Sequence, residues 1–314
     1  MSLNIGILMD PIEGIKPYKD TSFAILLAAQ KRGATLHYLT PADLSLDRGV
    51  AMGHSAQLRV RDQNEDFFDL GEASIKPLGD LDLLFIRTDP PFDSEYLYAT
   101  QILDIAETQG VKVINRPSAV RDCNEKLFAT WFPDLMAPTL VSRNEAQLRA
   151  FYAEHRDVIF KPLDGMGGRG IFRIGADGMN LGAVIESLTD SGRHSIMAQQ
   201  YLPAIVDGDK RILMINGEPA DYCLARIPSQ GETRGNLAAG GRGVAQPLSD
   251  TDRALANTIG PHLRERGLYL VGLDVIGDRV TEINVTSPTC MREIDAATGS
   301  DLANDLLEVV TGLL

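Results

Sequence analysis

Lys161-Pro162-Leu163-Asp164-Gly165-Met166-Gly167-Gly168-Arg169-Gly170, followed at once by Ile171-Phe172-Arg173-Ile174, is the stretch whose reading decides the fold. Glycines let backbone N–H groups approach an anion and form nests for phosphate oxygens. Walker A loops and dinucleotide fingerprints lead from a strand into a helix. Here the apolar pattern on both sides of the loop reads as strand, Val158 to Lys161 and then Ile171 to Ile174. A glycine-rich loop inside a hairpin is a flap that folds over a nucleotide, or else a plain hairpin tip. Lys161 at the end of the entering strand and Lys126, in Cys123-Asn124-Glu125-Lys126, offer point charges for phosphate. Taken singly, each also reads as a solvated surface lysine.

Upstream of the flap, strands and helices alternate. Ile5 to Met9, Leu36 to Leu39, Leu83 to Arg87 and Val111 to Asn115 read as strands, and Thr21 to Arg32 and Ser94 to Gln109 as helices ended by Gly33 and Gly110. That rhythm predicts a parallel α/β sheet, closing near Asp122. Arg87-Thr88-Asp89-Pro90-Pro91-Phe92-Asp93 follows a strand's C-terminal end, where open α/β sheets place ligands, so Arg87 is a substrate candidate. Downstream the pattern is antiparallel α+β. Lys210 to Ile215 and Ala220 to Arg226 turn at Asn216-Gly217, Ser249 to Arg266 reads as a helix capped by Ser249, and Leu270 to Ile276 and Val280 to Val285 turn at Gly277-Asp278.

Two further constellations stand out. Glu282 and Asn284 share one strand face because the side-chain period is two, and a carboxylate beside an amide carbonyl supplies hard oxygen ligands for Mg²⁺. Asp274 joins them only if the turn before Val280 is odd-numbered or bulged. A two-residue turn pairs it with Thr281, a three-residue turn spanning Gly277 to Arg279 with Glu282, and the three-residue turn is the expectation. A two-residue turn at Asn216-Gly217 pairs residues 211 and 222, so Asp209, Arg211, Tyr222 and Arg226 share a face. Arginine forks match carboxylates and phosphates. Arg234 and Arg242, in a loop spaced by Gly231, Gly235, Gly240, Gly241 and Gly243, read as charge on a mobile lid.

Composition narrows the classes. A hydrophobic fraction of 44% with 29 Gly and 16 Pro suits a globular α/β enzyme. A net charge of −13 argues against nucleic-acid binding. Cys123, Cys223 and Cys290 form no CxxC and read as reduced thiols. The opening run Leu3 to Asp10 reads as a buried strand rather than a signal peptide, and no apolar run reaches the ~20 residues of a membrane span. A cytoplasmic protein with neither nucleic-acid nor membrane partners is expected.

Together these segments closely resemble the prokaryotic glutathione synthetases of the ATP-grasp ligases. The resemblance is carried by Met9-Asp10-Pro11, Asp89-Pro90-Pro91-Phe92-Asp93, Asp122-Cys123-Asn124-Glu125-Lys126-Leu127, Lys161 to Gly168, Tyr201-Leu202-Pro203-Ala204, Asp207 to Arg211, and Ala225-Arg226-Ile227-Pro228. Gly231 to Gly243 and Thr281 to Thr289 are its most specific stretches, and Arg169-Gly170 closing the flap is a departure that touches flap charge. It implies an N-terminal α/β domain (residues 1–122) and an ATP-grasp domain (123–314) whose two antiparallel α+β subdomains cover about 130–200 and 201–314. It further implies ATP-dependent joining of γ-L-glutamyl-L-cysteine to glycine through an acyl phosphate. The nucleotide would meet Lys126, Lys161, Gly165, Gly167, Gly168, Gln199, Tyr201, Leu202 and Asp209. The metal, Mg²⁺ or Mn²⁺, would meet Asp274, Glu282 and Asn284, and the substrates Arg87, Arg211, Arg226, Arg234, Asn236 and Arg242. Arg211, Arg226 and Arg234 would carry catalysis, and the assembly would be a homo-oligomer, a tetramer. The competing readings are another ATP-grasp ligase, such as one adding glutamate to a protein terminus, and a nucleotide-binding regulator. Glu282, Asn284 and the arginine lid speak against the regulator, because binding alone needs neither. A Rossmann oxidoreductase is disfavoured, since no G-x-G-x-x-G follows the first strand.

Overall fold

Aliphatic runs with no polar interruption become the central strands of the first sheet, buried on both faces. The computed structural model describes residues 2–314 apart from 233, 236, 238 and 239. β1 (Asn4–Met9), β2 (Thr35–Leu39), β3 (Leu44–Asp47), β4 (Val50–Val60), β5 (Phe68–Pro77), β6 (Leu83–Arg87) and β7 (Lys112–Ile114) form one seven-stranded sheet. β1 pairs in parallel with β2 and β6, and β6 with β7. α1 (Thr21–Lys31) and α2 (Ser94–Thr108) are the crossovers, N-capped by Asp20 and Asp93. The region between residues 40 and 82, which carries no clear periodicity, adds the antiparallel strands β3, β4 and β5. β5 is exposed along almost its whole length, so it lacks the apolar alternation that marks a strand in sequence.

α3 (Pro117–Asp122) and α4 (Glu125–Ala129) lead into a four-stranded antiparallel sheet of β8 (Thr139–Ser142), β9 (Val158–Pro162), β10 (Phe172–Ile174) and β11 (Ile196–Gln200), backed by α5 (Glu145–His155) and α6 (Leu181–Thr189). The third sheet runs β14-β13-β12-β15-β16, from β12 (Asp209–Ile215), β13 (Glu218–Ile227), β14 (Arg242–Pro247), β15 (Leu270–Ile276) and β16 (Arg279–Asn284). α7 (Asp250–Arg266) packs on it under the Ser249 cap. α8 (Met291–Thr298) and α9 (Leu302–Thr311) return to α1.

Two hairpins depart from the sequence expectation. The β15–β16 turn is two residues long, Gly277-Asp278, with Ile276 opposite Arg279; the three-residue turn does not form. The register shifts instead at Thr281, so Asp274 still lies opposite Glu282. In β12–β13 the shift falls between Ile212 and Met214, which pairs Arg211 with Leu224 rather than Tyr222. Both are bulges, invisible to a count of turn residues.

Two apolar clusters span the first and third sheets. One joins Ile5, Phe23 and Leu26 to Leu213, Met291 and Leu306; the other joins Leu103 and Phe128 to Met214, Leu255 and Val285. The β8–β11 layer has its own cluster around Leu148, Phe160 and Ile196. Asn115 stitches the two large units together. Its side chain accepts from the Tyr269 and Leu270 N–H groups at 2.6 and 2.9 Å and donates to the Leu270 and Val285 carbonyls at 2.8 and 2.9 Å. Asn115→Ala strands these buried groups and is expected to cost about 3 kcal/mol, read as a fall in the denaturation midpoint. An unchanged midpoint would mean that water replaces the amide.

Candidate active site

The three sheets meet around a cavity of about 860 Å³. One end is lined by the flap residues Gly165, Gly167 and Gly168 and by Gln199, Tyr201 and Leu202 at the end of β11. Gly167 and Gly168 hold φ values of 62° and 80°, which only glycine adopts cheaply. Lys126 and Lys161 enter this end, 4% and 6% exposed. Lys126 Nζ donates to Glu282 Oε1 at 2.9 Å and to the Gly165 carbonyl at 2.7 Å, tying the flap to the third sheet. Lys161 Nζ lies 3.3 Å from both Gln199 Oε1 and the Thr281 carbonyl, the carbonyl of the bulge residue.

The middle of the cavity is an ion network on one sheet face. Asp209 lies directly opposite Arg226, and Arg211 directly opposite Asp274. Arg211 grips Asp274 through Nε–Oδ1 at 2.6 Å and Nη2–Oδ2 at 3.1 Å. Arg226 Nη2 reaches Asp209 Oδ2 at 2.5 Å and Asp274 Oδ2 at 2.9 Å. Gly272, opposite Asn284, leaves the space that Arg211 fills: a Cβ there would stand 2.8 Å from Arg211 Cδ. Burial alone would raise the Asp274 carboxyl, but the Arg211 and Arg226 guanidiniums outweigh it and hold it well below the usual carboxylate range. Burial pushes Asp209 up to about 7 against the pull of Arg226, and its Oδ1 has no hydrogen-bond partner. Glu282 and Asn284 line the cavity beside this network, and Asn284 donates to the Gly272 carbonyl at 3.1 Å.

Arg234 also reaches the cavity, where it donates to the Gly168 carbonyl at 3.2 Å and to Glu232 Oε2 at 2.5 Å, so the lid segment touches the flap. Two other expected site residues, Arg87 and Arg242, are not among its lining residues. Arg87 is buried behind the wall, donating to Ser22 Oγ at 3.0 Å and to the Pro288 carbonyl at 2.8 Å. A side chain that closes β6 from within the sheet turns inward, and it is the following Asp89 and Pro90 that face the cavity. Arg242 lies exposed on β14. Asn236 falls outside the described residues. Conversely, Lys16, Lys19, Asp20 and Glu293 line the cavity and were not singled out, because no motif spacing links a turn, a helix cap and a C-terminal helix.

A flap between two antiparallel strands, two buried lysines and oxygen ligands on a facing sheet define an ATP-grasp ligase. The whole chain superposes on solved members of that class at low identity. For the D-cycloserine synthetase DcsG the TM-score is 0.67 at 16% identity, covering 96% of this chain and 100% of that one. For the ATP-grasp ligase PsnB the TM-score is 0.65 at 15% identity, covering 100% of both chains. Two family models match, "Prokaryotic glutathione synthetase, N-terminal domain" over residues 3–121 and "Prokaryotic glutathione synthetase, ATP-grasp domain" over 125–299. The glutathione synthetase of Pseudomonas aeruginosa is 57% identical over 314 residues, covering 100% of this chain and 99% of that protein. That of Escherichia coli strain K12 is 54% identical over 313 residues, covering 99% of each. The chain belongs to the prokaryotic glutathione synthetase family.

Burial lowers Lys161 to about 8 against the attraction of Glu282. Its folded value lies below the unfolded one, so between about pH 8 and 10.5 the fold binds fewer protons and gains stability as pH rises. A triphosphate beside the amine restores the proton, so nucleotide affinity is expected to fall as pH rises above 8. Calorimetry at pH 9 in two buffers of different ionisation enthalpy should then show uptake of about one proton on ATP binding. Lys161→Met should abolish that uptake, and equal uptake by the variant would place the proton elsewhere.

Proposed function

We propose that this chain joins γ-L-glutamyl-L-cysteine to glycine, converting ATP to ADP and phosphate. The observation that carries the reading is one continuous cavity with two buried lysines at one end and the Arg211–Arg226 pair in its middle. At about 860 Å³ it suits a nucleotide and a small acceptor together. The full-length identity above 50% to glutathione synthetases favours this acceptor over a protein terminus. ATP would lie between the second and third sheets, adenine against Gln199 to Leu202, the sugar near the unpartnered Asp209 Oδ1, and the phosphates on Lys126, Lys161 and the flap nest.

Arg211 and Arg226 would hold the cysteinyl carboxylate, already oriented by Asp274 and Asp209. A carboxylate oxygen attacks the γ-phosphorus, ADP leaves, and the acyl phosphate is held by the arginines while Arg234 adds charge from the lid. The amine of glycine then attacks the acyl carbon and phosphate departs. Little covalent chemistry is asked of the protein; its side chains neutralise, orient and exclude water.

Glu282 and Asn284 fit a divalent metal, Mg²⁺ or Mn²⁺, since both present hard oxygens beside the phosphate end. When bound, the metal would supply positive charge that offsets the charge of the phosphates. Asp274 is a more constrained ligand. Its Oδ2 already takes donors from both arginines, which leaves a lone pair free on Oδ1. Among the described residues no three His, Cys, Asp or Glu side chains converge on a common point, so Glu282 and Asn284 are the side chains that would hold it.

The division into residues 1–122 and 123–314, with subdomains at about 130–200 and 201–314, remains our reading of the domain organisation. We place the protein in the cytoplasm with small-molecule partners; among the described residues no helix is long and apolar enough to cross a membrane. The resemblance also supports a homo-oligomer, a tetramer, and the outer edge of β5, where Leu70 and Ile75 are 40% and 66% exposed, is the surface we offer for contact with a second copy.

ADP should appear rapidly only when γ-glutamylcysteine and glycine are both present, with an equal amount of tripeptide; comparable turnover of a protein terminus or of D-alanine would sink the substrate assignment. Glu282→Gln and Asn284→Ala should each lower activity about 100-fold, recover in part at raised Mg²⁺, and leave the circular dichroism unchanged. A loss indifferent to Mg²⁺ concentration would remove these residues from the metal site.

A further inference from the structure

The second sheet carries a side-chain cluster that the proposed chemistry does not use. Arg173 on β10 stands opposite Ile159 of β9, and Ile159 stands opposite Gln199 of β11. Directly opposed residues share a face, and the side-chain period of two adds Asp157, Lys161 and Tyr201 to it. Ile159, Lys161, Gln199 and Tyr201 all line the cavity. Arg173 does not; its side chain crosses β9 and lays its guanidinium 3.6 Å from the centroid of the Tyr201 ring. Asp157 fixes the guanidinium there by accepting two bonds, from Nε to Oδ1 at 2.9 Å and from Nη2 to Oδ2 at 2.7 Å. The Asp157 carbonyl also accepts from the Tyr201 N–H at 2.9 Å, so one residue holds both the backbone of the ring and the cation stacked on it.

The Arg173 and Asp157 side chains are 37% and 33% exposed, and an ion pair so open to water adds little to stability. What the fork supplies is geometry, a planar cation locked at van der Waals distance from an aromatic ring. Tyr201 sits just beyond the end of β11, and β10 is a strand of three residues at the edge of the sheet, so neither would be rigid unaided. We propose that Arg173 is a positioning residue for the nucleotide base: with Asp157 it holds the Tyr201 ring in place as a wall of the cavity, so that a flat heteroaromatic base meets a wall already ordered. The inference rests on the reading above that sets adenine against Gln199 to Leu202, and it adds a residue that acts on the base only through another side chain. A wall ordered in advance spares the entropy of fixing it on binding, so the gain falls on base affinity rather than on the phosphates or the later chemistry.

The test compares equilibrium binding of ATP with that of inorganic tripolyphosphate, which carries the charge but no base, on the full-length chain. The wild type should bind ATP about tenfold or more tightly than tripolyphosphate. Arg173→Ala should weaken ATP about fivefold and leave tripolyphosphate and the melting temperature nearly unchanged. In steady state it should raise the KM for ATP by a similar factor while kcat holds. Arg173→Lys, which keeps a cation but loses the fork, should fall between. Tyr201→Ala should weaken ATP by itself, and adding Arg173→Ala to it should cost nothing more, since the arginine acts only through the ring. An ATP affinity indifferent to Arg173→Ala, losses that add in the double variant, or a tripolyphosphate affinity that falls along with that of ATP would overturn the positioning role while leaving the nucleotide reading intact. A wild type that binds ATP no better than tripolyphosphate would overturn the base pocket as well.

Discussion

Arg211 and Arg226 stand 5% and 3% exposed on adjacent strands of one sheet, and two guanidiniums cannot share so dry a place unless carboxylates stand between them. The register of the third sheet supplies those carboxylates as direct cross-strand partners, Asp209 opposite Arg226 and Asp274 opposite Arg211. A slip of one residue in β12 would turn Asp209 and Arg211 out of the cavity together, leaving Arg226 without Asp209 and Asp274 without Arg211. Ion pairing and strand register therefore enforce each other. The position of Asp274 in turn dictates what β16 must do. With Ile276 opposite Arg279 an unbroken ladder would pair Asp274 with Thr281, and the bulge at Thr281 brings Glu282 there instead. The same bulge turns the Thr281 carbonyl toward Lys161. One extra residue thus aims a carboxylate and a carbonyl at the end of the cavity that holds Lys126 and Lys161.

The charges around the cavity are largely matched before any ligand arrives. Lys126 rests on Glu282, Arg234 on Glu232, and the two buried arginines on Asp209 and Asp274. Such an arrangement lets an acidic protein keep several cations dry. In the functional reading proposed here, a nucleotide and a metal would exchange partners with these groups rather than meet bare charge. Lys126 would pass to a phosphate as Glu282 passes to the metal, with little net change in buried charge. Lys161, whose near neighbours are an amide and a carbonyl, stands apart. Its lowered proton affinity follows from that difference.

The flap end of the cavity was legible as geometry because its residues sit in short motifs and strict periods. The flap is a run of glycines between two strands, and the side-chain period of two places Glu282 beside Asn284 whatever the turn does. Asp274 was legible only as a conditional, since a bulge and a longer turn give the same pairing and sequence does not separate them. The facing set Asp209, Arg211 and Arg226 came out correctly from a wrong pairing of residue 211, because the register was off by two and parity survived. Arg87 was misplaced for a different reason: a strand end marks a cavity rim, but which side chain turns outward depends on packing against Ser22 and Pro288, 65 and 201 residues away. Lys19, Asp20 and Glu293, which line the far end of the cavity, left no trace, since they come from a turn, a helix cap and a C-terminal helix far apart in the chain.

The distribution of apolar cores says which part of this site can move. Two clusters each span the first and third sheets, and Asn115 adds four hydrogen bonds across the same junction. The cavity end lined by Asp20, Asp89 and Glu293 and the arginine network therefore belong to one welded body. The β8–β11 layer keeps a separate core around Phe160 and Ile196. It meets the rest through polar contacts such as Lys126 to the Gly165 carbonyl and Arg234 to the Gly168 carbonyl. Rotating that layer breaks a few hydrogen bonds but opens no apolar core, whereas separating the first sheet from the third would expose two. Movement is thus cheapest at the glycine flap and dearest at the cavity end lined by Asp20 and Glu293. In the reading proposed above, in which a reactive intermediate must be kept from water, that is the useful division: a fixed floor that would hold the acyl donor, and a cover that would close over the phosphates.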